Sequence, residues 1–197
     1  MSDILTIDTE AEVVTEERME ELPLYDERLP MLDSEIPTYN LRLPNPHMTK
    51  LVKQMKMTMK KFGGIGLSAN QCGVYERVFI IGTEYFQIAC INPKIIEKSE
   101  TTIKSEEGCL SYPGLYLKIE RPEWIVAEFT NENGEVKQMR FDGITARCYQ
   151  HELDHMNGKK FVDYVGPVSL QMARKKQSKI MKKVIRKNKN VGELYGK

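Results

Sequence analysis

The chain has 197 residues, four cysteines and a formal net charge of +1, with 41% hydrophobic and 29% charged side chains. That length gives one domain a sizeable core without disulfides, and the near-neutral charge offers no global case for nucleic acid or a membrane surface. No apolar run reaches the length of a membrane span, and the acidic start resembles neither a secretory signal nor an organellar transit peptide, so a cytoplasmic protein with reduced thiols is expected.

Residues 1–45 are acidic and punctuated by Pro23, Pro30, Pro37 and Pro44, which reads as extended chain wrapping a body. From Thr49 to Phe62 the apolar positions Leu51, Met55, Met59 and Phe62 recur at helical spacing, and Gly63-Gly64 closes the helix. A glycine-rich stretch, Gly63 to Gly73, precedes an apolar strand, Arg77 to Ile81. Short strands fill Ala89 to Phe141, with a hairpin signal in Asn131-Glu132-Asn133-Gly134 between Trp124–Thr130 and Glu135–Phe141. Gly143 to Met156 reads as a helix with Asp142 or Thr145 available as its cap. A last helix begins after Gly166-Pro167 and runs to about Lys187, and residues 166–197 form a basic tail in which every ionised side chain from Arg174 to Lys189 is positive. The expected fold is α+β: short mixed or antiparallel strands around the Gly143–Met156 helix, with one helix before them and a basic one after.

Two of the three histidines fall in His151-Glu152-Leu153-Asp154-His155. On a helix, positions four apart lie about 40° apart around the axis, so both imidazoles can meet one ion. Glu152 is then placed to accept a proton from water on that ion. The third ligand lies elsewhere. A third histidine at the metzincin spacing is absent, since Phe161 stands there, and no glutamate occurs between Glu152 and Glu193 to serve a thermolysin-like site. Cysteine remains, and the local residues do not choose between Cys148, on the helix face of His151, and Cys109, in a small-residue stretch among strands.

Three segments, in order, resemble the signature set of peptide deformylases: Gly64-Ile65-Gly66-Leu67-Ser68-Ala69-Asn70-Gln71, Glu107-Gly108-Cys109-Leu110-Ser111 and Gln150-His151-Glu152-Leu153-Asp154-His155. The resemblance covers roughly Phe62 to Val165. It implies an enzyme that removes the formyl group from N-terminal formyl-methionine of nascent polypeptides and releases formate. It also implies Cys109, His151 and His155 as metal ligands with water in the fourth place, and Glu152 as general base and later acid. Gln71 and the Leu110 backbone N–H would bind the oxyanion. The backbone at Gly66 and Gly108 would hold the substrate, Ile65 would line the methionine pocket, and Glu107 with Arg121 would form a supporting ion pair. Cys148 becomes a neighbour rather than a ligand. The implied ion is Fe2+, with Ni2+ or Co2+ as substitutes, while ligand softness alone suits Zn2+. Ser68 stands where the family has a small apolar residue, a change expected to affect packing more than chemistry. The basic tail is a candidate for docking on ribosomal RNA.

Overall fold

The computed structural model describes residues 19–83 and 85–187. The acidic residues 1–18 and the tail from residue 188, including Lys189, lie outside them. Helix α1 spans Pro46–Lys61, starting three residues before the expected Thr49. Its start is set by Asn45, whose side chain accepts the Met48 N–H, and by Pro46, whose fixed φ and missing N–H suit the first helical position. At its other end Gly63 takes φ +66, in the left-handed region that closes helices.

Strands β1 (Gly66–Ser68), β2 (Val78–Gly82), β3 (Gln87–Lys98), β6 (Trp124–Thr130) and β7 (Val136–Asp142) form one antiparallel sheet in that order, while β4 (Thr102–Gly108) and β5 (Tyr116–Pro122) pair as a separate two-stranded sheet. The period of two in β2 organises the interior. Val78 and Ile80 join the α1 side with Met48, Leu51, Val52, Met55 and Met59. Phe79 and Ile81 join the opposite face with Phe129, Phe141 and Tyr149. The Tyr149 ring stacks on Phe141 with centroids 5.4 Å apart and takes Phe79 edge-on at 4.9 Å. With both faces covered, Val78–Ile81 is a continuous buried run instead of an alternating one.

Helix α2 (Gly143–Met156) occupies that second face, with the bounds expected from sequence. The expected side-chain cap is absent: Asp142 sits at the N-cap position but makes no capping bond, because its carboxylate is engaged by Arg140. Nine of the helix residues are buried, among them His151, Glu152 and His155. A third cluster, Tyr112, Leu115, Leu117, Ile119 and Phe161, ties the two-stranded sheet to helix α3 (Pro167–Lys187) through Leu170 and Ala173. Residues 19–45 run without a strand, as an extended segment with one short 3-10 turn at Pro30–Asp33. No helix among the described residues is long and apolar enough to cross a membrane.

Candidate metal centre

Helical spacing on α2 aims its chemistry one way. His151 and His155, four apart, present rings with centroids 5.0 Å apart and nearly perpendicular. The turn after β4 delivers Cys109 from the other sheet, so that one ligand atom each from Cys109, His151 and His155 lies within 4.8 Å of the others. The Cys109 Sγ is 3.3 Å from His155 Nε2. His151 Nδ1 is taken by Glu107 Oε2 at 3.2 Å, which leaves Nε2 for an ion. Cys148 is not in the group. Its thiol donates to the Ile65 carbonyl at 3.2 Å, and burial pushes it well above the usual thiol range. The group contains Cys109, the cysteine that the motif resemblance implied, and among the described residues no fourth ligand of the kind a closed structural site needs joins it.

The residues fit a divalent cation. A thiolate-capable sulfur and two imidazoles, one of them braced by a carboxylate, form the donor set of a mononuclear site with room for an exogenous ligand. Glu152 lies beside it, 4% exposed, with Oε2 unpartnered. Burial raises its carboxyl to about 7, against the opposing pull of His151 and the Ser68 hydroxyl. There is no space for a side chain at Gly66: a Cβ there would come within 2.3 Å of Glu152 Oε1 and 2.6 Å of the Cys148 sulfur. At Gly108 a Cβ would meet the Tyr116 ring at 2.8 Å, so that half-exposed ring would have to shift.

Gln71 stands at the end of the glycine-rich segment, in the 3-10 turn Ala69–Cys72 that follows β1. Its amide NH2 donates to Cys109 Sγ at 3.3 Å and to Ser111 Oγ at 3.1 Å. Its Oε1 accepts from the Ser68 N–H at 3.0 Å and the Ser68 hydroxyl at 2.9 Å. Ser68, expected to affect packing more than chemistry, also places its hydroxyl as a polar partner inside the site. Next to the sulfur and Gln71 opens a cleft of about 420 Å³, walled by Ile65, Gly66, Leu110, Tyr116, Ile144 and Arg147, with Glu152 and His151 in its lining. Ile65 and Ile144 remain partly exposed there, at 47% and 63%, as apolar surface available to a ligand.

Glu107 is the hub beneath the ligands. Its Oε1 receives Arg121 Nε and Arg147 Nη1, both at 2.6 Å, and its Oε2 receives Arg121 Nη2 at 3.0 Å as well as His151. Burial would raise this carboxyl, but hydrogen bonds from His151 and Arg121 outweigh that and hold it at about 2. Arg121 also reaches Asp154 at 2.8 Å. The expected Glu107–Arg121 pair is thus present, and Arg147 is the member that sequence reasoning passed over. Besides Glu107, Arg147 donates to the carbonyls of Ile103 and Ile119, clamping both strands of the small sheet to α2. Its position four residues before His151 was the available signal, since it places both side chains on one helix face.

A sulfur and two imidazoles gathered on one point, with an ionisable carboxyl in the wall of an adjoining cleft, define a metallohydrolase type of site. Residues 25–171 match the family described as Polypeptide deformylase. A peptide deformylase of Pseudoalteromonas translucida is 42% identical over 132 residues, covering 66% of this chain and 78% of the relative. One of Thermotoga sp. is 36% identical over 140 residues, 71% of this chain and 85% of the relative. Among solved structures, a peptide deformylase from Legionella pneumophila superposes with TM-score 0.76 at 32% identity, covering 85% of this chain and 99% of that one. The peptide deformylase from Synechococcus elongatus in complex with actinonin gives 0.73 at 36% identity, covering 80% and 86%. The chain belongs to the polypeptide deformylase family.

Proposed function

We propose that the chain hydrolyses the N-formyl group of N-terminal formyl-methionine on nascent polypeptides, giving formate and a free amine. The observation that carries this reading is the convergence of Cys109, His151 and His155 beside Glu152 and Gln71, within a family match spanning residues 25–171. Cys109, His151 and His155 would hold a divalent ion. Bound there, the ion supplies Lewis acidity toward water and the formyl oxygen.

The protein's own groups account for the remaining steps. Glu152 takes the proton from the attacking water as its oxygen adds to the formyl carbon, then passes it to the α-amine as the C–N bond breaks. The Gln71 NH2 and the Leu110 backbone N–H stabilise the charge that grows on the formyl oxygen. Backbone groups at Gly66 and Gly108 bind the peptide in extended form, and Ile65 lines the methionine pocket. Glu107 fixes the ring plane of His151, and Arg121 fixes Glu107.

Ferrous iron is the ion we assign, with Zn2+, Ni2+ or Co2+ able to fill the same ligands in purified protein. A formyl-methionyl peptide should be deformylated by protein prepared without oxygen, and a chelator should abolish turnover. Metal analysis should find about one iron per chain, with activity decaying in air as the thiolate-bound ferrous centre oxidises. No turnover with any of the four ions overturns the function; full, air-stable activity as a pure zinc protein overturns iron.

Helix α3 is the part we assign to the ribosome. Lys175, Lys176, Lys179, Lys182 and Lys183 are exposed on one side, while Ala173, Gln177, Ile180, Met181 and Val184 face inward. Arg174 is not available for that role, because it pairs with Glu27 and covers the Tyr112 ring at 5.6 Å. The helix also seats on the loop that walls the cleft: Gln177 donates to the Pro113 carbonyl at 2.9 Å, and Met181 lies against Gly114. Deleting the helix would disturb that loop, so charge reversal of the five lysines is the cleaner test. Co-sedimentation with ribosomes should fall at low salt and lose its steep salt dependence in the reversed variant, with peptide deformylation in solution unchanged. Equal co-sedimentation of both proteins ends the docking idea.

A further inference from the structure

The four atoms that orient the Gln71 amide come from only three residues, and one of them departs from the family pattern. A primary amide is nearly symmetric in shape, so its partners decide which end carries the nitrogen. On one end Gln71 faces two acceptors, Cys109 Sγ and Ser111 Oγ. On the other it faces two donors of a single residue, the Ser68 N–H and the Ser68 hydroxyl. Ser68 is fully buried and Gln71 is 1% exposed, so no solvent competes for these bonds.

We propose that Ser68 is a positioning residue for deformylation, its hydroxyl locking the Gln71 carboxamide with the NH2 turned toward the sulfur corner where the formyl oxygen is to be bound. This rests on the function proposed above. With alanine in its place, Gln71 Oε1 would keep the single backbone donor, and the amide would swing more freely about its last torsion. The NH2 would then spend less time in line with the developing charge, and donors held in advance are the ones that accelerate acyl chemistry. Substrate binding through Gly66, Gly108 and Ile65 would be untouched, so the loss belongs in kcat and leaves KM alone.

The test uses the metal-loaded full chain with Ser68→Ala, alone and in a Gln71→Ala background. Ser68→Ala alone should lower kcat about three- to tenfold with KM within about twofold and metal content unchanged. In the Gln71→Ala background the same substitution should cost less than about twofold, because its effect passes through Gln71. A readout independent of turnover is the hydrogen exchange of the Gln71 side-chain amide, followed by NMR in zinc-loaded protein and assigned through Gln71→Ala. It should quicken at least about tenfold in Ser68→Ala. An unchanged kcat, an equal loss in both backgrounds, or unaltered amide exchange overturns the role of Ser68. Absence of deformylation by the unaltered chain instead overturns the function, while the exchange measurement still decides whether Ser68 holds the amide.

Discussion

Replacing Glu152 by glutamine should reduce kcat by between about 10² and 10⁴-fold while metal content stays at the wild-type level. The substitution keeps the volume of a side chain that is 4% exposed and removes only its capacity to take and return a proton. The residues proposed as ligands, Cys109, His151 and His155, are untouched. In the metal-free protein burial raises the Glu152 carboxyl to about 7. A bound cation a few ångströms away pulls it back down. The base must be ionised to act, so the acidic limb of kcat/KM should rise with pH and have its midpoint below 7, and that limb should vanish in the glutamine variant. Turnover retained at the wild-type rate would remove Glu152 from the reaction.

The second large effect concerns stability. Glu107→Gln should cost about 3–5 kcal/mol, because it leaves Arg121 and Arg147 buried without their shared anion. For a chain of this size that corresponds to a melting temperature lower by about 10 °C. The acid dependence gives an independent check. Glu107 is lowered from 4.5 to about 2, so the stability it contributes is complete above the ordinary value and lost as pH falls through the folded one. That contribution is worth about 3 kcal/mol. Wild-type stability should therefore decline between about pH 4.5 and 2, and the variant should lack that part of the decline. Metal affinity should also fall, by about 10- to 100-fold, as His151 loses its brace. Adding Arg147→Met should return part of the lost stability, since one orphaned cation goes with it. Calorimetry of the three proteins across that pH range decides the matter; equal melting temperatures would show that the hub carries no net energy.

The helices were legible because their signals are local. The α2 range follows from periodicity between Gly143 and Met156, and α3 from the Gly166-Pro167 break. The early start of α1 was written in Asn45-Pro46, but within a Pro-rich stretch it read as loop. The β1 strand hid in the glycine-rich segment, because three residues buried on every side have no alternation to show. The division of strands into two sheets was out of reach. Pairing of Glu107 with Leu117 and of Ile91 with Thr130 is a long-range choice that short windows do not encode. At the site, spacing placed His151 and His155 on one face but left Cys109 and Cys148 open, and only the motif resemblance chose Cys109. The partners of Ser68 and Arg147 were not foreseen for a related reason. A hydroxyl or guanidinium gains a role only from what folds against it.

The centre draws on two separate pieces of architecture: both imidazoles ride on a helix sunk in the interior, whereas the sulfur is brought by the turn that ends a peripheral β-ribbon. An ion held by Cys109, His151 and His155 would therefore bridge the helix and the ribbon, a second joint beside the one Arg147 makes through the carbonyls of Ile103 and Ile119.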